Sequence, residues 1–83
     1  MKPFTTHDIV LASVLQLEQF NLLGIEFDPI NKSRAHFLFE STPDLLQVVQ
    51  DYFLGKILVE PNRFHNETRA LTTLIRNTKT QSV

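Results

Sequence analysis

Two stretches of strict alternation constrain this chain more than anything else in it. In residues 22–28, Leu23, Ile25 and Phe27 alternate with Leu22, Gly24, Glu26 and Asp28; in residues 34–40, Ala35, Phe37 and Phe39 alternate with Arg34, His36, Leu38 and Glu40. Side chains on an extended backbone point to opposite faces in turn, so a period of two predicts a strand with one buried face. Between them, Asp28-Pro29-Ile30-Asn31-Lys32-Ser33 is rich in turn formers. The two strands read as an antiparallel hairpin, and one register serves both patterns. It sets Leu23 opposite Phe39, Ile25 opposite Phe37 and Phe27 opposite Ala35 on the buried face. On the other face it sets Glu26 opposite His36 and Asp28 opposite Arg34, which the charges favour.

Helical patterns flank the hairpin. Thr5 reads as the N-cap of a first helix, with Asp8 three residues on and Phe4 placed to pack on Ile9. That helix is expected to run to Gln19. Its Leu17, Val10, Val14, Leu11 and Leu15 span about 160° of the circumference, more than a surface helix needs. It is either sandwiched between two layers of its own chain or partly covered by another chain. A second helix opens with Thr42 as N-cap, Pro43 in the first turn and Asp44 at the positive end of the dipole. Leu45, Val48, Val49 and Tyr52 form its buried stripe, Leu46 and Phe53 flank it, and Gly55 ends it. Residues 56–60 alternate again and read as a short third strand, with Ile57 and Val59 inward and Leu58 outward. Pro61 opens a third helix to Asn77, with Phe64, Leu71, Leu74 and Ile75 inside; residues 78–83 read as a frayed tail. The expected order is α-β-β-α-β-α. This is an α+β fold in which a small antiparallel sheet, the hairpin plus a short third strand, packs against three helices.

Size and composition fit one such unit. Eighty-three residues suffice for a single domain, with an ordered core expected over residues 4–77. A chain this short buries only about 60–65% of its unfolded surface. The seven Phe among 42% hydrophobic residues supply the apolar area it needs. There is no cysteine, which removes disulfides, thiolate chemistry and thiolate-held metals, and points to a reducing, cytoplasmic setting. No signal peptide or membrane span is legible. Asn31-Lys32-Ser33 and Asn66-Glu67-Thr68 match the glycosylation sequon and, without a secretion signal, read as coincidence. The net charge of −1 is unevenly placed: residues 1–55 carry three Lys/Arg against seven Asp/Glu, and residues 56–83 carry five against two.

Several of these positions also match a known pattern. Phe4-Thr5-Thr6-x-Asp8, Phe37-x-Phe39, Tyr52-x-x-Gly55, and Val59-Glu60-Pro61 followed by Phe64 and Leu71 span most of the chain. In them the chain resembles a family of short uncharacterised domains from bacteria and their mobile elements. The resemblance implies the same small fold and an acidic N-cap ahead of the third helix, where this chain has Glu60. It implies no activity.

The residues themselves argue against catalysis. His7, His36 and His65 form no HxH, HxxH or HxxxH pair, and no carboxylates stand beside them at ligand spacing. The histidines read instead as a first-turn residue (His7), a cross-strand partner of Glu26 (His36) and an exposed helical residue (His65). Ser13, Ser33 and Ser41 lack a nearby base or an oxyanion loop, and Gly24 and Gly55 are isolated. Neither enzyme activity nor a metal or cofactor is expected. Two surfaces are candidates for binding. Leu22, Leu38 and Leu58 around Gly24 would form an apolar patch on the outer sheet face, suited to a protein partner or a second copy. Asn62, His65, Arg69, Thr72, Arg76 and Lys79 share one face of the third helix. They could track nucleic-acid phosphates, or simply form a solvated face whose cations favour the helix end. A protein-binding module, self-associating as a homodimer, is the leading expectation; a nucleic-acid-binding accessory protein is the alternative.

Overall fold

The computed structural model describes residues 2–31 and 34–81, the last three of these by backbone alone. Its elements are β1 (Phe4–Thr6), α1 (Ile9–Leu17), β2 (Leu22–Phe27), β3 (Ala35–Phe39), α2 (Pro43–Phe53) and α3 (Pro61–Gln81). The class is α+β as expected, but the order is β-α-β-β-α-α. The sheet is antiparallel with strand order β1-β3-β2.

The hairpin forms where alternation predicts it, with Ile25 opposite Phe37, Phe27 opposite Ala35 and Glu26 opposite His36. At its open end the pairing departs from the expected register. Leu22, not Leu23, faces Phe39, and a bulge separates Leu22 from Gly24. One extra residue shifts the phase of everything before it. Leu22 therefore turns onto the core, while Leu23 is left 55% exposed.

The third strand is not residues 56–60 but the N-terminal Phe4–Thr6, which pairs Phe4 with Phe39, Thr5 with Leu38 and Thr6 with Phe37. Phe and Thr suit a pleated surface, and three residues are too few to show a period. The cap of α1 accordingly moves from Thr5 to Asp8. The N–H groups of Val10 and Leu11 donate to Asp8 Oδ1 at 2.9 and 3.3 Å, and the Asp8 N–H donates to Thr6 Oγ1 at 3.1 Å. The helix ends at Leu17 in a Schellman motif: Gln19 N–H donates to Gln16 O and Phe20 N–H to Leu15 O, with Gln19 at φ 67° in the left-handed region. The α2 boundaries are as expected. Leu45 N–H donates to Thr42 Oγ1 at 3.1 Å, and Gly55 at φ 73° closes a second Schellman motif through Gly55 N–H to Tyr52 O and Lys56 N–H to Asp51 O.

Most of the α1 stripe is covered within the chain, although Val10, expected in it, is 42% exposed. Leu11, Ala12, Ser13, Val14 and Leu15 are all buried, and five consecutive residues exceed one helical turn. The sheet meets α1 through Phe37 and Phe39, α2 through Leu45, and α3 through Leu71. Small Ala12 and Ser13 let α3 come close, and Ser13 Oγ lies 3.0 Å from Thr68 Oγ1 across that joint. The inner stripe of α3 thus includes Thr68 with Phe64, Leu71 and Ile75, whereas Leu74 is exposed. The α3 backbone stays helical through Gln81, so the frayed tail expected from residue 78 is helical over its described part; Ser82 and Val83 lie outside the described residues. Lys32 and Ser33 of the turn do as well.

Candidate interaction surfaces

The four residues expected to form an outer-face patch are not brought together. Gly24 and Leu38 are neighbours across the β2–β3 ladder, but Leu22 faces the core through the bulge. Leu58 belongs to the α2–α3 connection, where it lies beside Leu17, Glu18 and Arg63. Nor does α1 cover the outer face, because it packs on the inner one.

Polar residues gather at the hairpin loop. Asp28 Oδ1 accepts hydrogen bonds from the Ile30 and Asn31 N–H groups at 2.8 and 2.9 Å. Its Oδ2 lies 3.4 Å from His36 Nε2. The backbone bonds from Asn31 and Ile30, with a smaller part from His36, hold the Asp28 carboxyl below its ordinary pKa. His36 therefore reaches diagonally across the hairpin to Asp28 rather than straight across to Glu26. Its ring meets that of His7 edge to face, with centroids 5.9 Å apart. His7 sits in the β1–α1 turn, not in the first turn of the helix. Among the described residues, no three His, Asp or Glu side chains converge as metal ligands.

The expected basic face exists as a surface. Asn62, His65, Arg69, Thr72 and Arg76 are all exposed along α3, opposite its inner stripe; the Lys79 side chain lies outside the described residues. Thr72 spends its hydroxyl proton on its own helix, donating to Thr68 O at 2.9 Å. At the start of α3 the Arg63 N–H donates to Glu60 Oε2 at 2.7 Å, so Glu60 supplies the acidic cap.

Three exposed large apolar residues lie close together in the chain elsewhere, at the end of α2 and in the connection after it. Phe53 is 71%, Leu54 59% and Leu58 95% exposed. Beside them runs a groove of about 280 Å³ between α1, the connection and the start of α3, lined by Val10, Val14, Tyr52, Ile57, Val59 and Phe64, with Gly55 at its rim. Ile57 and Val59 are half-buried in it, while Lys56, Leu58 and Glu60 face solvent. The alternation expected of residues 56–60 is therefore present without a strand to pair with. Tyr52 anchors this region to α1 by donating its hydroxyl to Asp8 Oδ2 at 3.1 Å. Burial, then that bond, raises the Tyr52 pKa above its ordinary value. The sequence marks Phe53 only as the flank of a stripe; in the structure its ring meets that of Tyr52 edge to face at 5.3 Å and is otherwise left in solvent.

Over residues 1–77 the chain matches the family model described as Domain of unknown function (DUF5659). It is a DUF5659 domain. The match covers every element from β1 through most of α3 and agrees with the resemblance read from the sequence. The family description names no activity, host or partner. No curated protein and no solved structure matches the chain significantly. No described helix of this DUF5659 domain is long and apolar enough to cross a membrane.

Proposed function

We propose that this DUF5659 domain is a non-enzymatic binding module that acts through protein contacts and associates with itself. The observation that carries the reading is the exposure of Phe53, Leu54 and Leu58 within six residues of one another, at the end of α2 and in the connection after it. Exposed apolar residues this close in the chain, with Lys56 and Glu60 beside them, suit an interface better than an isolated surface leucine does. Association would also stabilise a domain of this size by mass action. Ser13 offers no rival: it is fully buried, with its hydroxyl donating to Ile9 O at 2.8 Å. The absence of cysteine suits a cytoplasmic setting. Light scattering on a gel-filtered concentration series tests the reading. A dimer that dissociates on Phe53→Asp supports it; a wild-type protein monomeric at every concentration overturns it.

One observation favours a second reading, binding of nucleic acid through α3. Arg69 and Arg76 are exposed on the same face as Asn62 and His65, and such a face binds phosphates in a salt-dependent way. Binding at low salt that Arg69→Glu abolishes would support it, and none at low salt removes it.

A further inference from the structure

We infer that the two copies join by antiparallel self-pairing of residues 56–60, so that the connection between α2 and α3 becomes a strand only in the dimer. The inference rests on the self-association proposed above and specifies its geometry. It starts from an unmet backbone requirement. Lys56 N–H already donates to Asp51 O, and Glu60 O already accepts from Phe64 N–H. Among the described residues, the backbone N–H and C=O groups of Ile57, Leu58 and Val59 between them have no protein partner. The segment is nonetheless built like a strand, with β-branched Ile57 and Val59 on one face and Leu58 on the other. Its inward face is already packed, on Val10, Val14, Tyr52 and Phe64.

The sequence Lys56-Ile57-Leu58-Val59-Glu60 is complementary to itself when reversed. Paired antiparallel about Leu58, it sets Leu58 against the partner subunit's Leu58, and Ile57 against the partner subunit's Val59. Lys56 then faces the partner subunit's Glu60 and the reverse, giving two opposite-charge pairs flanking a leucine contact on the solvent side. A two-fold axis requires this reciprocity. The backbone fixes which of the two antiparallel pairings forms. Backbone groups alternate between the two edges of a strand, so the edge of Lys56 N–H and Glu60 C=O, both occupied within the chain, is also that of Leu58, and the edge left for a ladder carries the groups of Ile57 and Val59. Leu58 is therefore a non-hydrogen-bonded pair, the kind in which facing side chains come closest. Two five-residue strands fall short of the roughly 800 Å² per partner that a stable interface buries. The neighbouring Phe53 and Leu54, exposed on the approach to the segment, extend the contact.

Charge exchange tests the pairing. Lys56→Glu replaces two attractive pairs by two repulsive ones, as does Glu60→Lys, and each should weaken dimerisation about tenfold. The double exchange, Lys56→Glu with Glu60→Lys, loses the Glu60 cap of α3 just as Glu60→Lys alone does, yet should restore dimerisation, which misfolding of either single variant would not allow. A second measurement uses the absence of native cysteine. Leu58→Cys, across a two-fold at about 4.5 Å between Cα atoms, is within reach of a disulfide and should form a covalent dimer under mild oxidation. Ile30→Cys, at a position equally exposed at 95%, should do so far more slowly. A wild-type dimer indifferent to the single exchanges, not rescued by the double, or cross-linking equally at both cysteines overturns the self-pairing and leaves self-association standing. A monomeric wild type overturns both.

Discussion

Ala35–Phe39 and residues 56–60 carry the same five-residue alternation, and the fold treats them oppositely. The first is the central strand, paired on both sides, with Ala35, Phe37 and Phe39 buried. The second has no strand beside it and leaves Leu58 in solvent. What differs is the neighbour on each edge. β3 follows a turn that returns it onto β2 and is met by β1, whereas residues 56–60 leave the α2 Schellman motif and cross α1. A period of two therefore reports which side chains are hidden; it is silent on whether the backbone between them finds a partner.

Four measurements can break or sharpen this contrast. The largest effect belongs to the paired segment. Phe37→Ala, with Phe37 1% exposed, should cost about 3–5 kcal/mol. That is comparable with the whole stability of a small domain, and chemical denaturation should show little folded protein. Asp8→Ala removes the α1 cap and the acceptor for Tyr52 together, and should cost about 1–2 kcal/mol in the same assay. Because Tyr52 is the only tyrosine and there is no tryptophan, its absorbance titration should shift to lower pH in that variant. At the other end of β3, the folded-state pKa of Asp28 lies below its ordinary value. Its contribution is complete above that ordinary value and is lost as pH falls through the folded one. Asp28→Asn should thus destabilise at neutral pH and differ progressively less from wild type in acid, as thermal melts at a series of pH values would show. The smallest effect is expected in the unpaired segment. Leu58→Asp, measured at a concentration where the protein is monomeric, should change stability by less than about 0.5 kcal/mol. A loss as large as that of Phe37→Ala would mean that residues 56–60 hold the monomer together, and the contrast would fail.

Much of this architecture was legible because its signals are local. The hairpin shows in the spacing of Ile25, Phe27, Ala35, Phe37 and Phe39, and both ends of α2 show in Thr42-Pro43 and Gly55. Three features were not legible, each for a physical reason. β1 is stabilised by a strand more than thirty positions away, while Thr5 and Asp8 carry helix-start chemistry that competes for the same residues. The bulge at Leu22 and Gly24 exchanges one leucine for another, so hydrophobicity alone does not mark it; the glycine was the only hint. The early end of α1 depends on Gln19 accepting a left-handed conformation that usually selects glycine. Of the candidate surfaces, the face of α3 follows from helical period alone. The outer-sheet patch requires a third strand at residues 56–60, and without that strand Leu58 lies on a different wall of the molecule from Gly24 and Leu38.

The turn between β1 and α1 is only His7 and Asp8. Asp8 is hydrogen-bonded to Thr6 before it, to the first turn of α1 after it, and to Tyr52 at the far end of α2. This edge strand is thus tethered to the most deeply buried helix by a link too short to stretch, so it cannot peel away while that helix stays seated. Edge strands commonly exchange their amide protons through local fraying. In this domain the backbone amides of β1 should instead exchange with the free energy of global unfolding, and the terminus should melt with the centre.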